Sequence, residues 1–221
     1  MYDKQVEIRQ QDVQGETNWH WVKSDVGAFG NTQDGPMRDW IEGHSIKYFQ
    51  YLSSFDTVVT GGTSCGMHVR FYGKMFKHVY AFEPDPLSFH CMVNNAQYDH
   101  VYKLNAAIGP KNGIVGISRA RIEGNDCNIG MHKVSSVVNE FHTPMFAIDS
   151  LHLLACDLIQ LDVEGFERGA LQGAENTIRK FKPLVVAERF DDPKARNFMK
   201  NTFGYELVDI SFMDSIYMAI N

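Results

Sequence analysis

The tract Thr60-Gly61-Gly62-Thr63-Ser64-Cys65-Gly66 closes the β-branched run Val58-Val59 and opens a helix-like segment at Met67. Such a turn lets backbone approach a ligand, and the helix that follows presents N–H groups to an anion. Alone, the pattern serves equally as a tight strand-to-helix turn without a ligand, because glycine motifs are weak signals. Glu83 sharpens it. It lies 21 residues beyond Gly62, at the end of the next apolar run, where a carboxylate accepts hydrogen bonds from a ribose diol. Asp162 and Glu188 end two further apolar runs and are candidate general bases, with Asp162 equally suited to be a cofactor ligand. The default role of Glu188 is a structural carboxylate paired with Arg189. Asp162 and Glu188 could together hold Mg²⁺, but no third ligand is evident beyond Asp191 and Asp192, so the expectation is no metal. The histidines match no zinc spacing. Surface or structural roles are expected for them, with His142 the one placed to act as a base.

These groups must be held by alternating strands and helices. "TVVTG", "HVYAF", "VYKLNAAI", "DLIQLDV" and "PLVVAE" read as strands, and "YELVDI" and "SIYMAI" as a closing hairpin around "SFMD". Helices are expected over Pro36–Leu52, Met67–Phe76 (stripe Met67, Phe71, Met75), from Pro86 with Asp85 as N-cap, as one piece after Asp162, and over Pro193–Phe203 up to Gly204. Asn94-Asn95 reads as a helix stop. The alternation implies a parallel sheet with helices on both faces and an antiparallel edge hairpin. Residues 1–54 form an N-terminal arm and helix, with Trp19 and Trp21 as packing anchors. Residues 55–221 form the main domain, with 110–148 as an insertion or lid.

Composition sets the class. The chain has 221 residues, 44% hydrophobic and 22% charged, which suits one globular domain with its own core. A net charge of −6 makes nucleic acid an unlikely partner. Arg119 with Arg121, or Lys194, Arg196 and Lys200, could still form local basic patches. Cys65, Cys91, Cys127 and Cys156 lack metal or redox spacing and read as free thiols. With no signal-like or membrane-spanning run, a cytoplasmic enzyme is the expectation.

The glycine spacing opposes the G-x-G-x-x-G of a nicotinamide dinucleotide site, although Glu83 would serve NAD as well. It fits a cofactor without a pyrophosphate, such as S-adenosylmethionine. "VYAFEPDP", "LNAAIG", "FAIDSL", "DLIQLDVEGFERGALQGAENTI" and "KPLVVAE" resemble, in order and spacing, the motifs of FkbM-type S-adenosylmethionine-dependent methyltransferases over roughly residues 56–190. The resemblance implies a Rossmann-like, seven-stranded α/β fold and methylation of a hydroxyl on a sugar or other small-molecule or glycan acceptor. It implies that Gly61, Gly62, Thr63, Ser64 and Gly66 cradle the methionine end of the cofactor. Glu83 with Pro84 would hold the ribose, Ala106 and Ala107 would flank the adenine, and Asp162 would lie near the transferring methyl. Two positions depart from the family pattern: Thr60 replaces its aspartate and Gln160 its lysine. They motivate a second reading, a catalytically silent binding or assembly module. The outer edge of the hairpin offers a surface for a homodimer. Thr60→Asp is expected to tighten cofactor binding if Thr60 faces the ligand.

Overall fold

A computed structural model describes residues 4–9, 18–25, 47–120, 127–136 and 140–220. In chain order its strands are β1 (Val6–Arg9), β2 (Trp19–Val22), β3 (Thr57–Gly61), β4 (His78–Phe82), β5 (Val101–Leu104), β6 (Ala107–Ile108), β7 (Gly113–Ser118), β8 (Lys133–Val134), β9 (Phe141–Phe146), β10 (Leu158–Leu161), β11 (Leu184–Glu188), β12 (Tyr205–Ser211) and β13 (Asp214–Ala219). The α-helices are α1 (Met67–Met75), α2 (Pro86–Asn95), α3 (Glu167–Gln172), α4 (Glu175–Phe181) and α5 (Pro193–Phe198).

Seven strands make the main sheet, in the order β12-β13-β11-β10-β3-β4-β5. β11, β10, β3, β4 and β5 are mutually parallel, while β13 runs antiparallel to both β11 and β12. The period-2 pleat explains why the central strands are apolar throughout. Val59, Ile159 and Val185 face one core with Ala170, Leu171 and Ile178. Val58, Leu158 and Val186 face the other, with Val69, Tyr72 and Met92. Both faces are therefore covered, which is what forces the chain to alternate strand and helix.

Four local expectations change. The segment 101–108 is two strands rather than one. Asn105 breaks it by donating to the carbonyls of Glu83 and Pro84, and Ala107–Ile108 leave the main sheet to pair with β9. The helix after Asp162 is two helices, because Asp149 caps the start of α4 by accepting from the backbone N–H groups of Asn176 and Thr177. On α1 the buried residues are Met67, Val69, Tyr72 and Gly73, and Met75 is exposed. Asn95 is more than a helix stop. Its amide accepts from the N–H of His20 and donates to the carbonyls of His20 and Cys65, fastening β2 to α2.

The insertion contributes a second sheet, in the order β6-β9-β7-β8. It is tied to the N-terminal arm: Cys127 N–H donates to the Ser24 carbonyl, and Ile129 N–H to Asp25. Trp19 and Trp21 are buried there with Cys65, Leu87 and Ile129. Asp85 caps α2 through Leu87 and Ser88, as expected, and Asp192 caps α5 in the same way. α5 runs on into a π-turn, Met199–Phe203, that Gly204 ends. Most of the helix expected over 36–52, including Trp40, Ile41 and His44, lies outside the described residues, as do Arg121, Asn125 and Asp126. All four cysteines are free and buried. Among the described residues no helix is long and apolar enough to cross a membrane.

Candidate functional site

The carboxyl ends of β3, β4, β10 and β11 open into one cavity of about 500 Å³, a size suited to a small-molecule ligand. The strand order places β3 centrally, with Glu83 beyond β4 on one side and Asp162 and Glu188 beyond β10 and β11 on the other. Gly62, Thr63, Ser64, Glu83, Pro84, Ala106, Ala107, Asp162 and Glu188 all line the cavity. Gly61 and Gly66 are not among its lining residues.

The glycine turn works differently from the sequence expectation. Gly62 has a φ of +76°, and a Cβ there would sit 1.6 Å from the Asp162 carbonyl oxygen. Its bareness lets β3 and β10 close against each other. Gly66, at φ +85°, makes room for Met92 of α2. The N–H groups of the turn are also committed. Gly62 and Thr63 donate to the Phe82 carbonyl, Gly66 to that of Thr63, and Ser64 to Glu83. These four amides are therefore engaged within the protein, and the turn shapes the floor of the cavity through the Gly62 backbone and its neighbours Thr63, Ser64 and Cys65.

Glu83 is 5% exposed. One of its oxygens accepts from Ser64 N–H at 2.6 Å and the other from Asp85 N–H at 2.8 Å, which leaves each a further lone pair. Burial pushes its pKa up to about 7, against the two N–H donors and the positive influence of His132. The Ser64 hydroxyl is buried beside it without a hydrogen-bond partner among the described residues. Asp85 uses one oxygen to cap α2 and the other to hold Arg119 at 2.6 Å and His132 at 3.4 Å. Burial opposes the charge on Asp85, yet His132 and Arg119 hold its carboxyl well below the usual range. Arg119 also sits over the Phe141 ring, so it belongs to this cluster and not to a basic patch. In the other candidate patch Lys200 lies 3.4 Å from Glu206 and Arg196 3.9 Å from Asp191, with Lys200, Glu206 and Arg196 exposed and Asp191 half-buried.

On the other side of β3, the carboxylates of Asp162, Glu164 and Glu188 come within 4.8 Å of one another. Burial, then the Glu188 charge, pushes the Asp162 and Glu164 pKa values up, and the same two causes raise Asp214 to about 7. A carboxylate oxygen of Asp162 and one of Glu188 lie within 4.8 Å, close enough for the two charges to oppose each other. Glu164, at φ +54°, is the third carboxylate that sequence reasoning did not find for a cation site. Its signal was the "DVEG" turn itself. Arg189 lies 3.7 Å from Glu188 but is largely exposed, so it neutralises little of this charge.

The sequence also missed the walls. Trp21, Met131 and His132 line the cavity from the arm and the insertion, and Phe212 and Met213 from the turn of the terminal hairpin. His142 does not line it and is exposed on β9. Thr60 and Gln160 do not line it either. They are buried opposite each other on β3 and β10, and the Thr60 hydroxyl donates to the Gln160 side-chain carbonyl.

Residues 63–213 match the methyltransferase FkbM domain. The chain belongs to the FkbM methyltransferase family. Among solved structures it is similar to an FkbM methyltransferase from Methylobacillus flagellatus, at 15% identity and a TM-score of 0.53, over 78% of this chain and 50% of that one. It is also similar to a T. thermophilus 16S rRNA methyltransferase in complex with AdoMet and guanosine, at 11% identity and a TM-score of 0.54, over 97% of this chain and 50% of that one. The FkbM chain spans half the length of each, and at these identities the likeness is one of fold. No curated protein matches it by sequence. These likenesses lend no support to the expectation, drawn from net charge, that nucleic acid is an unlikely partner.

S-adenosylmethionine is the cofactor of this family, and the FkbM chain's cavity fits it. Glu83 retains acceptor capacity for a diol, and Ser64 Oγ is an orphaned buried hydroxyl that a polar ligand would satisfy. Ala106 and Ala107 present an apolar wall.

Proposed function

We propose that this FkbM-family chain is an S-adenosylmethionine-dependent O-methyltransferase that acts on a hydroxyl of a sugar or another small-molecule or glycan acceptor. The observation that carries the reading is one cavity joining a buried carboxylate with free acceptor capacity, Glu83, to a cluster of close carboxylates at Asp162, Glu164 and Glu188. The cofactor, when bound, supplies a methyl group already activated on a sulfonium. Glu83, Pro84 and Ser64 would hold its ribose, and Ala106 and Ala107 its adenine. Gly62 and Thr63 would shape the floor beneath its methionine end. Aligning acceptor and cofactor in a cavity walled by Trp21, Met131 and Phe212 can supply much of the acceleration, about 7–11 kcal/mol in well-oriented reactions.

Asp162 and Glu188 would provide the rest. The ionised member of the pair accepts the proton of the acceptor hydroxyl, a step typically worth about 10²–10⁴-fold. Burial and the neighbouring Glu188 charge raise the proton affinity of Asp162, which strengthens it as a base. A cluster of carboxylates favours acceptors rich in hydrogen-bond donors and opposes phosphate-rich ones.

Calorimetric titration with S-adenosylhomocysteine should give a saturable isotherm, and no binding at millimolar ligand would overturn the reading. Methyl transfer is then followed from labelled cofactor to a panel of sugars, glycans, small molecules and RNA. Cofactor binding without transfer to any of them would favour the silent module. Transfer to RNA alone would replace the acceptor class.

A further inference from the structure

His132 is 5% exposed at its side chain and lines the cavity, and neither ring nitrogen has a well-aligned hydrogen-bond partner among the described residues. It directly follows the 3₁₀ turn Ile129–Met131 of the insertion. That turn is fixed to the arm by the bond from Ile129 N–H to Asp25, and to its own flank by the bond from Gly130 N–H to the Asn128 side chain. The ring is thus delivered to the cavity by a braced segment, with a carboxylate, Asp85, behind it at 3.4 Å. Ser64 Oγ, the other orphaned polar atom of the cavity, belongs to the residue whose N–H holds Glu83. Buried polar groups are almost always satisfied, so the orphaned Ser64 hydroxyl, with a His132 ring held only by the 3.4 Å contact to Asp85 and by the Cys127 thiol, points to a ligand with several oxygens beside Glu83.

We propose that His132 is a cofactor-contacting residue, supplied by the insertion, that works as a unit with Glu83 and Ser64 to bind the hydroxyl-bearing sugar of the cofactor. This rests on the cofactor reading above. His132 donates an N–H to a ribose oxygen while Glu83 accepts from the diol, so donor and acceptor are both present for each hydroxyl. Asp85 orients the ring and Arg119 balances the charge of Asp85. The charged state of His132 follows from the same geometry. Burial opposes it, but Asp85, the Cys127 thiol and Glu83 raise the pKa to about 9. His132 in turn helps Glu83 to ionise. The charged and titratable groups around the pair are thus Asp85, Arg119 and Cys127.

The test is S-adenosylhomocysteine affinity by calorimetry from pH 6 to 10 for wild type, His132→Asn and the control His142→Asn. Wild type should bind best between about pH 7, where Glu83 ionises, and about pH 9, where His132 loses its proton. His132→Asn should weaken binding about tenfold or more at neutral pH, move the acid limb to higher pH and remove the alkaline limb. His142→Asn should behave as wild type. A His132→Asn affinity within twofold of wild type, or a loss with both limbs unmoved, overturns the proposal. Should that variant not fold, the wild-type profile decides: a flat affinity from pH 6 to 10 overturns it. Failure of wild type to bind at any pH instead removes the cofactor reading itself.

Discussion

Thr60→Asp is the substitution on which sequence and structure disagree most sharply. From the family pattern it restores a cofactor-orienting charge. In the fold, Thr60 is fully buried, does not line the cavity and bonds Gln160 across the β3–β10 pair. By the family pattern that the motifs resemble, an aspartate and a lysine would fall on these two facing positions, where Thr60 and Gln160 form a neutral hydrogen bond. Introducing one charge alone leaves it buried beside an amide. The Gln160 side chain can rotate to donate to a carboxylate but cannot neutralise it. Breaking a buried pair by leaving one charge uncompensated costs about 3–5 kcal/mol, and amide donation returns about 1 kcal/mol of that. Thr60→Asp should therefore lose about 2–4 kcal/mol, and Gln160→Lys about 3–5 kcal/mol, out of a total stability of about 5–15 kcal/mol. The double variant should recover at least about 2 kcal/mol relative to the sum. Urea unfolding of the ligand-free protein, followed by circular dichroism, measures all four corners of the cycle. Single variants as stable as wild type, additivity within about 0.5 kcal/mol, or tighter cofactor binding by Thr60→Asp would refute the reasoning.

Other expectations follow from the same contacts. Glu83→Gln should weaken S-adenosylhomocysteine binding about tenfold or more by calorimetry, because one acceptor becomes a donor. Stability should depend on pH with a definite sign. Glu83 (ordinarily 4.5, here about 7) and His132 (ordinarily 6.5, here about 9) both have raised folded-state pKa values. The Glu83 contribution, on the order of 3 kcal/mol, is thus full below about pH 4.5 and lost by about pH 7, and that of His132 is full below about pH 6.5 and lost by about pH 9. Melting of the ligand-free protein should be higher near pH 5.5 than near pH 8.5, and a higher value at pH 8.5 would contradict the assignment. Glu188→Gln should raise the melting temperature at pH 8 by relieving repulsion with Asp162 and Glu164, while abolishing methyl transfer. Asn95→Ala removes three hydrogen bonds and should cost about 2–4 kcal/mol, with faster amide exchange in β1 and β2 as the specific readout.

The sequence by itself determined the frame. Whether a residue is buried on one face or two is a local property of the repeat, so the apolar runs at 57–61, 158–161 and 184–188 declared central parallel strands. The cap at Asp85 is equally local, because its side chain bonds backbone two and three residues ahead. The motif order was enough to name the family and to put Glu83, Asp162 and Glu188 at strand ends. Breaks at Asn105 and before α4 were not legible, because each depends on a partner far along the chain: Glu83 and Pro84 in one case, Asp149 in the other.

Only the tertiary structure decided what the strand-end residues face. Thr60 and Gln160 are 100 positions apart and meet because β3 and β10 pair in register, which turns two apparent defects of a cofactor site into one core contact. Asp85, Arg119 and His132 come from three segments, and none has a distinctive neighbour in sequence. The charges of Asp85 and His132 act on Glu83 through low-dielectric interior, an effect set by spatial distance and burial, while Arg119 acts on Asp85. Chain order records neither quantity.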